Sequence, residues 1–196
     1  MPLGANKAAI MGVAGVSTST DQDLLTSQTF TNQASVSFTS KINSTYREYI
    51  FRFYNIGPAT DTAAFTFQVN ATDSTSYDEA ITSTAFYVKH EEGDDSTALA
   101  YGPSWDQANG TAYQHLTDGT GNGADENCAG ELHLFDPSST TYVKHFTGVI
   151  NQYHSDDMTF ELFLGGYINT TTAIDDVQFK FSSGNFDGTI KLWGVK

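Results

Sequence analysis

The last twenty residues, Val177 to Lys196, constrain the fold of this chain more than any other stretch. Val177, Phe179 and Phe181 are apolar and alternate with Gln178, Lys180 and Ser182. A two-residue period places successive side chains on opposite faces of a strand, so one face of this segment is built to be buried. Ser183 to Gly188 follows, rich in residues that accept turn dihedrals. Ile190 and Leu192 then point one way, and Thr189, Lys191 and Trp193 the other. Strand, turn and strand read as one β-hairpin. Its strands need a sheet laid down earlier, which the preceding residues are expected to supply.

The same alternation recurs upstream. Tyr46 to Ile56 is the expected central strand, with Tyr49, Phe51 and Phe53 on one face and Ile50, Arg52 and Tyr54 on the other. Arg52, flanked by aromatic residues, is expected to stack on them. Gly57-Pro58 ends this strand. Phe65, Phe67 and Val69 alternate with Thr66, Gln68 and Asn70, which are expected to face outward. A strand from Phe30 to Phe38 puts Val36 and Phe38 on one face, and Phe86 and Val88 mark another strand. Further strands are expected at Cys128 to Phe135, Tyr142 to Asn151 and Thr159 to Ile168. In the last, Gly165-Gly166 signals a bulge or the close approach of another backbone. Residues 71–84 read as a loop or weak edge strand, Glu91 to Asp95 as a solvated acidic turn, and 99–127 as a long irregular region. A weak helical signal lies at Asp21 to Leu25. Aromatic residues make up 13% of the chain, which favours strands. The expectation is an all-β domain over 29–196, an antiparallel β-sandwich of jelly-roll-like form, with an extended N-terminal arm over 1–28.

Lys and Arg number 9 against 23 Asp and Glu, giving a net charge of −14. Nucleic acid and anionic membrane surfaces would repel such a chain. No run approaches the roughly 20 apolar residues of a membrane-spanning helix. Lys7 followed by Ala8 to Val16 weakly resembles a signal peptide, but the run is short and interrupted by Gly12 and Gly15. An arm lying between neighbouring subunits is expected in its place. The single cysteine, Cys128, rules out an internal disulfide and is expected to be a buried strand residue, not a nucleophile.

No G-x-S-x-G elbow, H-E-x-x-H, phosphate-binding loop or dinucleotide glycine fingerprint occurs. The strand carboxylates are Glu48, Glu131 and Glu161, one per strand, and a catalytic pair would have to form across two strands. His133 and His145 are expected on adjacent strands, without the spacing of a metal site. Asp118 to Glu126 matches the first half of a calcium loop but has Ala129 where a bidentate Glu belongs, so a solvated turn is favoured. Trp105, Tyr101 and Tyr113 would serve either as a sugar-stacking platform or as a cover over one end of the core. Asn43, Asn70, Asn109 and Asn169 begin glycosylation sequons that are expected to be chance matches in a Thr-rich chain. No catalytic, cofactor or metal residue is assigned from these patterns.

The ending FKFSSGNFDGTIKLWGVK, with the aromatic-rich Tyr46 to Asn55, resembles β-sandwich virion structural proteins of tailed phages, in which an S-G-N turn and a G-T-I-K-L-(Y/W)-G strand close the domain. That resemblance implies a non-enzymatic protein on the virion exterior, in the first place a capsid decoration or cement protein. It implies no cofactor, a homo-oligomer, commonly a trimer, and other virion proteins such as the major capsid protein as partners. Two alternatives stand beside it. One is a receptor-binding tail fibre or spike that recognises host glycans through Trp105 and the 99–127 region. The other is a carbohydrate-binding jelly-roll module or enzyme.

Overall fold

The computed structural model describes residues 21–196. They form β1 (Gln22–Gln33), β2 (Val36–Phe38), β3 (Glu48–Pro58), β4 (Phe65–Ala71), β5 (Ile81–Glu91), β6 (Thr97–Tyr101) and β7 (Ala108–Gly110). Then come β8 (Gln114–His115), β9 (Cys128–Phe135), β10 (Lys144–His154), β11 (Met158–Ile168), β12 (Ile174–Phe181) and β13 (Phe186–Val195). Every pairing is antiparallel. One sheet has nine strands in the order β1-β13-β3-β9-β10-β11-β5-β6, with β7 also on β5; the other has four in the order β2-β12-β4-β8. The two pack face to face as a lopsided β-sandwich, and consecutive strands repeatedly cross from one sheet to the other.

The C-terminal pair illustrates the crossing and corrects one expectation. Each strand buries the expected face: Val177, Phe179 and Phe181 on β12, and Ile190 and Leu192 on β13. The two strands do not form a hairpin. β12 pairs β2 and β4 in the small sheet, while β13 pairs β1 and β3 in the large one. Residues 182–185 arch over the core, so both apolar faces look inward at each other across the sandwich. Had the strands paired, both apolar faces would lie on the same side of a single sheet.

The core between the sheets is aromatic. Phe179 lies at its centre, with ring centroids 5.1 Å from Phe51, 5.3 Å from Phe53 and 5.8 Å from Phe65. The Phe51 and Phe53 pairs are edge-to-face, an arrangement that adds about 0.5–1.5 kcal/mol per pair beyond area burial. Tyr49, Phe51 and Phe53 bury the face of β3 that the alternation assigns to them.

Three local expectations change. The helical signal at Asp21 to Leu25 is absorbed by β1, whose residues Gln22 to Gln33 pair with β13 from Val195 to Phe186. The segment expected as an arm therefore gives up residues 22–28 to this strand, and its residues 1–20 lie outside the described residues. The strand expected from Phe30 to Phe38 is two strands in different sheets. Thr66, Gln68 and Asn70 do not face water: all three are buried. The outer face of the small sheet is roofed by chain, and Gln68 Nε2 lies 3.0 Å from the Glu79 carbonyl and 3.2 Å from those of Thr111 and Ala112. Tyr113 completes the roof, with Lys180 Nζ 3.8 Å from its ring centroid. The 99–127 region is thus structural in large part, since Gln114, Leu116, Thr117 and Thr120 are buried as it closes the sandwich.

Candidate functional site

With the small sheet roofed over, the outer face of the large sheet is the broad open surface of the described residues. Four apolar side chains lie in one row across it. Register pairs Val149 with Phe163, Phe163 with Phe86, and Phe86 with Tyr101, spanning β10, β11, β5 and β6. The Phe86 and Phe163 rings stack at 4.8 Å with an interplanar angle of 4°. In the next row Val88 pairs with Leu99. Val149 is 38% exposed, Phe86 46%, Tyr101 55% and Leu99 72%. Contiguous apolar surface of this kind in water marks an interaction site more often than it marks chance.

Above the row lies an open trough of about 450 Å³ lined by Thr82, Ser83, Thr84, His145, Thr147, Gly165 and Tyr167, among others. Gly165 forms its floor: a Cβ there would meet nothing nearer than 3.8 Å. Gly166 faces inward, and its Cβ would lie 2.5 Å from the Thr82 carbonyl oxygen and 2.8 Å from Phe146 Cζ. The Gly-Gly pair therefore marks a close approach, with unbroken register on both sides and no bulge. His145 and Tyr167 pack edge-to-face at 6.0 Å along one rim. The paired Phe86 and Phe163 lie two residues along the strands from Thr84 and Gly165, on the side away from that rim.

Beside the trough a charge network joins two strands, β3 and β9. His133 Nδ1 is 2.5 Å from Glu48 Oε1, and Nε2 is 3.1 Å from Glu131 Oε1. Arg52 Nε reaches Glu131 Oε2 at 3.3 Å, and its guanidinium lies 5.3 Å from the Trp193 ring centroid. Arg52 stacks as expected, with Trp193 of the neighbouring strand as its partner. The hydrogen bond from His133, aided by the charges of His133 and Arg52, holds the Glu131 carboxyl below the usual carboxylate range. A carboxylate whose pKa is depressed by folding stabilises the protein above its unfolded pKa of about 4.3, and the contribution is lost as pH falls through the lower folded value. Glu131→Gln is accordingly expected to lower the melting temperature at neutral pH. The gap to the wild type should close on acidification below pH ~4. Melting curves over a pH series check this; a gap independent of pH would show that the ionised network contributes nothing.

Other sequence candidates are dispersed. Glu48 and Glu131 meet at His133, while Glu161 sits apart in the row of Val88 and Asn151. His133 and His145 lie on adjacent strands but engage different partners. Asp118 is turned into the fold: its carboxylate accepts from Trp105 Nε1 at 3.1 Å and lies 3.6 Å from His154 Nε2. Burial pushes its pKa up, but the hydrogen bonds from His154 and Trp105 together outweigh this and leave it lowered. Glu126 folds back on the Gly123 amide at 2.5 Å. Among the described residues no group of three or more His, Cys, Asp or Glu side chains is placed to hold a metal ion.

The aromatic trio does not form a platform. Trp105 packs edge-to-face on Tyr87 at 5.1 Å and on Phe160 at 5.4 Å, as a cover of the core. Tyr113 belongs to the roof of the small sheet, and only Tyr101 is open to solvent. Cys128 is buried as expected, and burial raises its thiol pKa far above the usual range. Asn70 is buried and closed to glycosylation, whereas Asn43, Asn109 and Asn169 are exposed. The apolar row had only faint sequence signals, because its members are scattered from Phe86 to Phe163.

The fold and face define an antiparallel β-sandwich with one roofed sheet and one open, partly apolar sheet. No family model, curated protein or solved structure matches the chain.

Proposed function

We propose that this protein is a non-enzymatic structural component of a phage virion, carried on the particle exterior as a capsid decoration protein. The observation that carries the reading is the open face of the large sheet, where Val149, Phe163, Phe86 and Tyr101 form a continuous apolar row on a chain of net charge −14. Such a surface gains by being covered, while the acidic remainder keeps the unattached protein soluble. The resemblance of the C-terminal segment to virion β-sandwich proteins points the same way. The test is co-sedimentation of purified protein with virions of the phage that encodes it, together with mass spectrometry of the purified particles. Replacing both Phe86 and Phe163 by Ser is expected to weaken attachment tenfold or more with the fold intact, since each ring is worth roughly 1.5–3 kcal/mol when fully buried. Particles that lack the protein would refute the reading.

A second reading, glycan recognition by a fibre or spike, is favoured by the trough. Its Gly165 floor, the rim of His145 and Tyr167, and the Thr82, Thr84 and Thr147 side chains suit a sugar ring, which presents both C–H faces and hydroxyls. Glycan-array binding that Gly165→Phe abolishes would favour it over decoration. The role proposed for Trp105 in that reading moves to Tyr167 and His145.

A further inference from the structure

The large sheet ends at β6, and the hydrogen-bonding phase of this strand can be read from its flanks. Glu91 N donates to Ser96 O at 3.0 Å and Gly102 N to Ala85 O at 2.9 Å. Antiparallel ladders alternate bonded and non-bonded pairs, so Ala98 and Ala100 bond to Lys89 and Tyr87 of β5. The N–H and C=O groups of Thr97, Leu99 and Tyr101 point away from β5, and no further strand pairs with β6 among the described residues. Exposed edges are commonly blunted by Lys, Pro or a bulge. Thr97-Ala98-Leu99-Ala100-Tyr101 has neither residue, and its register with β5 is unbroken.

We propose that β6 is a self-association edge on which two copies of this chain pair antiparallel about a two-fold axis at Leu99. The strand is complementary to itself in that arrangement. Leu99 meets Leu99 of the second copy, Ala98 meets Ala100, and Thr97 meets Tyr101, with about six backbone hydrogen bonds closing the seam. On the outer face, the row Val88–Leu99 continues into Leu99–Val88 of the second copy, covering the most exposed large apolar side chain of the described residues. Charge selects the antiparallel direction. The acidic turn Glu91 to Asp95 adjoins β6. Parallel pairing would set two such turns side by side, whereas antiparallel pairing separates them by roughly 20–30 Å along the strands, about three Debye lengths at physiological salt. An isologous edge contact closes at two copies and leaves no growing end. The backbone seam is distinct from the Phe86 and Phe163 stack at the centre of the open face, while Leu99 and Tyr101 border both.

Light scattering behind size exclusion, run at several protein concentrations, tests the proposal on the full chain. The wild type is expected to have the mass of two chains. Leu99→Lys, which sets like charges against each other on the axis, is expected to halve that mass with unchanged circular dichroism and melting temperature. Leu99→Cys is expected to yield a disulfide-linked dimer on oxidation, because Cys128 is buried and does not compete. This second variant reads the geometry even if the lysine variant fails to fold. A wild type that stays monomeric at every concentration, or that forms trimers, overturns the proposal. So does association that survives Leu99→Lys with no cross-link through Leu99→Cys. Loss of virion attachment in the Phe86 and Phe163 variant, with the dimer retained, separates this contact from the decoration reading.

Discussion

Phe179→Ala is expected to lower the melting temperature by about 10 °C, through a loss of about 3–5 kcal/mol. The ring sits between the sheets and lies within 6.5 Å, centroid to centroid, of Phe38, Phe51, Phe53, Phe65 and Phe67. Those five rings are fixed by strands β2, β3 and β4, and they cannot all collapse into the space left behind. The cost is therefore the lost transfer energy plus that of a persistent cavity. Phe179→Leu, which keeps most of the volume, should lose markedly less. Thermal and urea unfolding of both variants check this; a loss under 1 kcal/mol for the alanine variant would mean that Phe179 is not at the centre of the core.

Gly130→Ala is expected to be nearly as damaging, although it adds one methyl group. A Cβ at Gly130 would lie 2.3 Å from the Val149 carbonyl oxygen and 2.7 Å from Ile150 Cα, both backbone atoms of the paired strand. Side chains can rotate away from a clash; a hydrogen-bonded strand in mid-sheet cannot. Relief requires β9 and β10 to part where the register of β9 on β3 also shifts, between Phe53 and Ile56. The expected loss is about 3 kcal/mol, at the upper end of overpacking costs, read as a lowered urea midpoint. Gly165→Ala is the control, since the same methyl group there meets its nearest neighbours, the Phe146 carbonyl oxygen and Thr147 Cγ2, at an ordinary contact distance of 3.8 Å. Equal effects at the two glycines would refute the account.

Phe179 and Gly130 differ in how far their surroundings are legible in the sequence. Phe179 could be placed in the core by alternation alone, because its neighbours at two-residue spacing are Val177 and Phe181. Nothing local to Gly130 announces the backbone it touches, which belongs to residues 149 and 150. The charge network behaves in the same way. Glu48, Glu131 and His133 are each recognisable as strand residues, but only the pairing of β3 with β9 brings them together. For Phe86 and Val88 the alternation identified a strand but not which face is buried. Ala85 and Ile81 fill the core side, and the larger side chains stand outside to form the apolar row.

Alternation did not mark β1, read as arm and weak helix, nor β6 to β8. By itself it determined that this chain is built of strands, where β3, β4 and β9 to β13 lie, and which faces of β12 and β13 are buried. It did so because a period of two is a property of the strand, whatever the strand pairs with. Tertiary structure decided the partners. It sent β12 and β13 into opposite sheets, roofed Thr66, Gln68 and Asn70, and aligned four distant side chains on the open face. Those outcomes depend on which edges meet after the chain has crossed the core, and local dihedral preferences carry no information about so distant a neighbour.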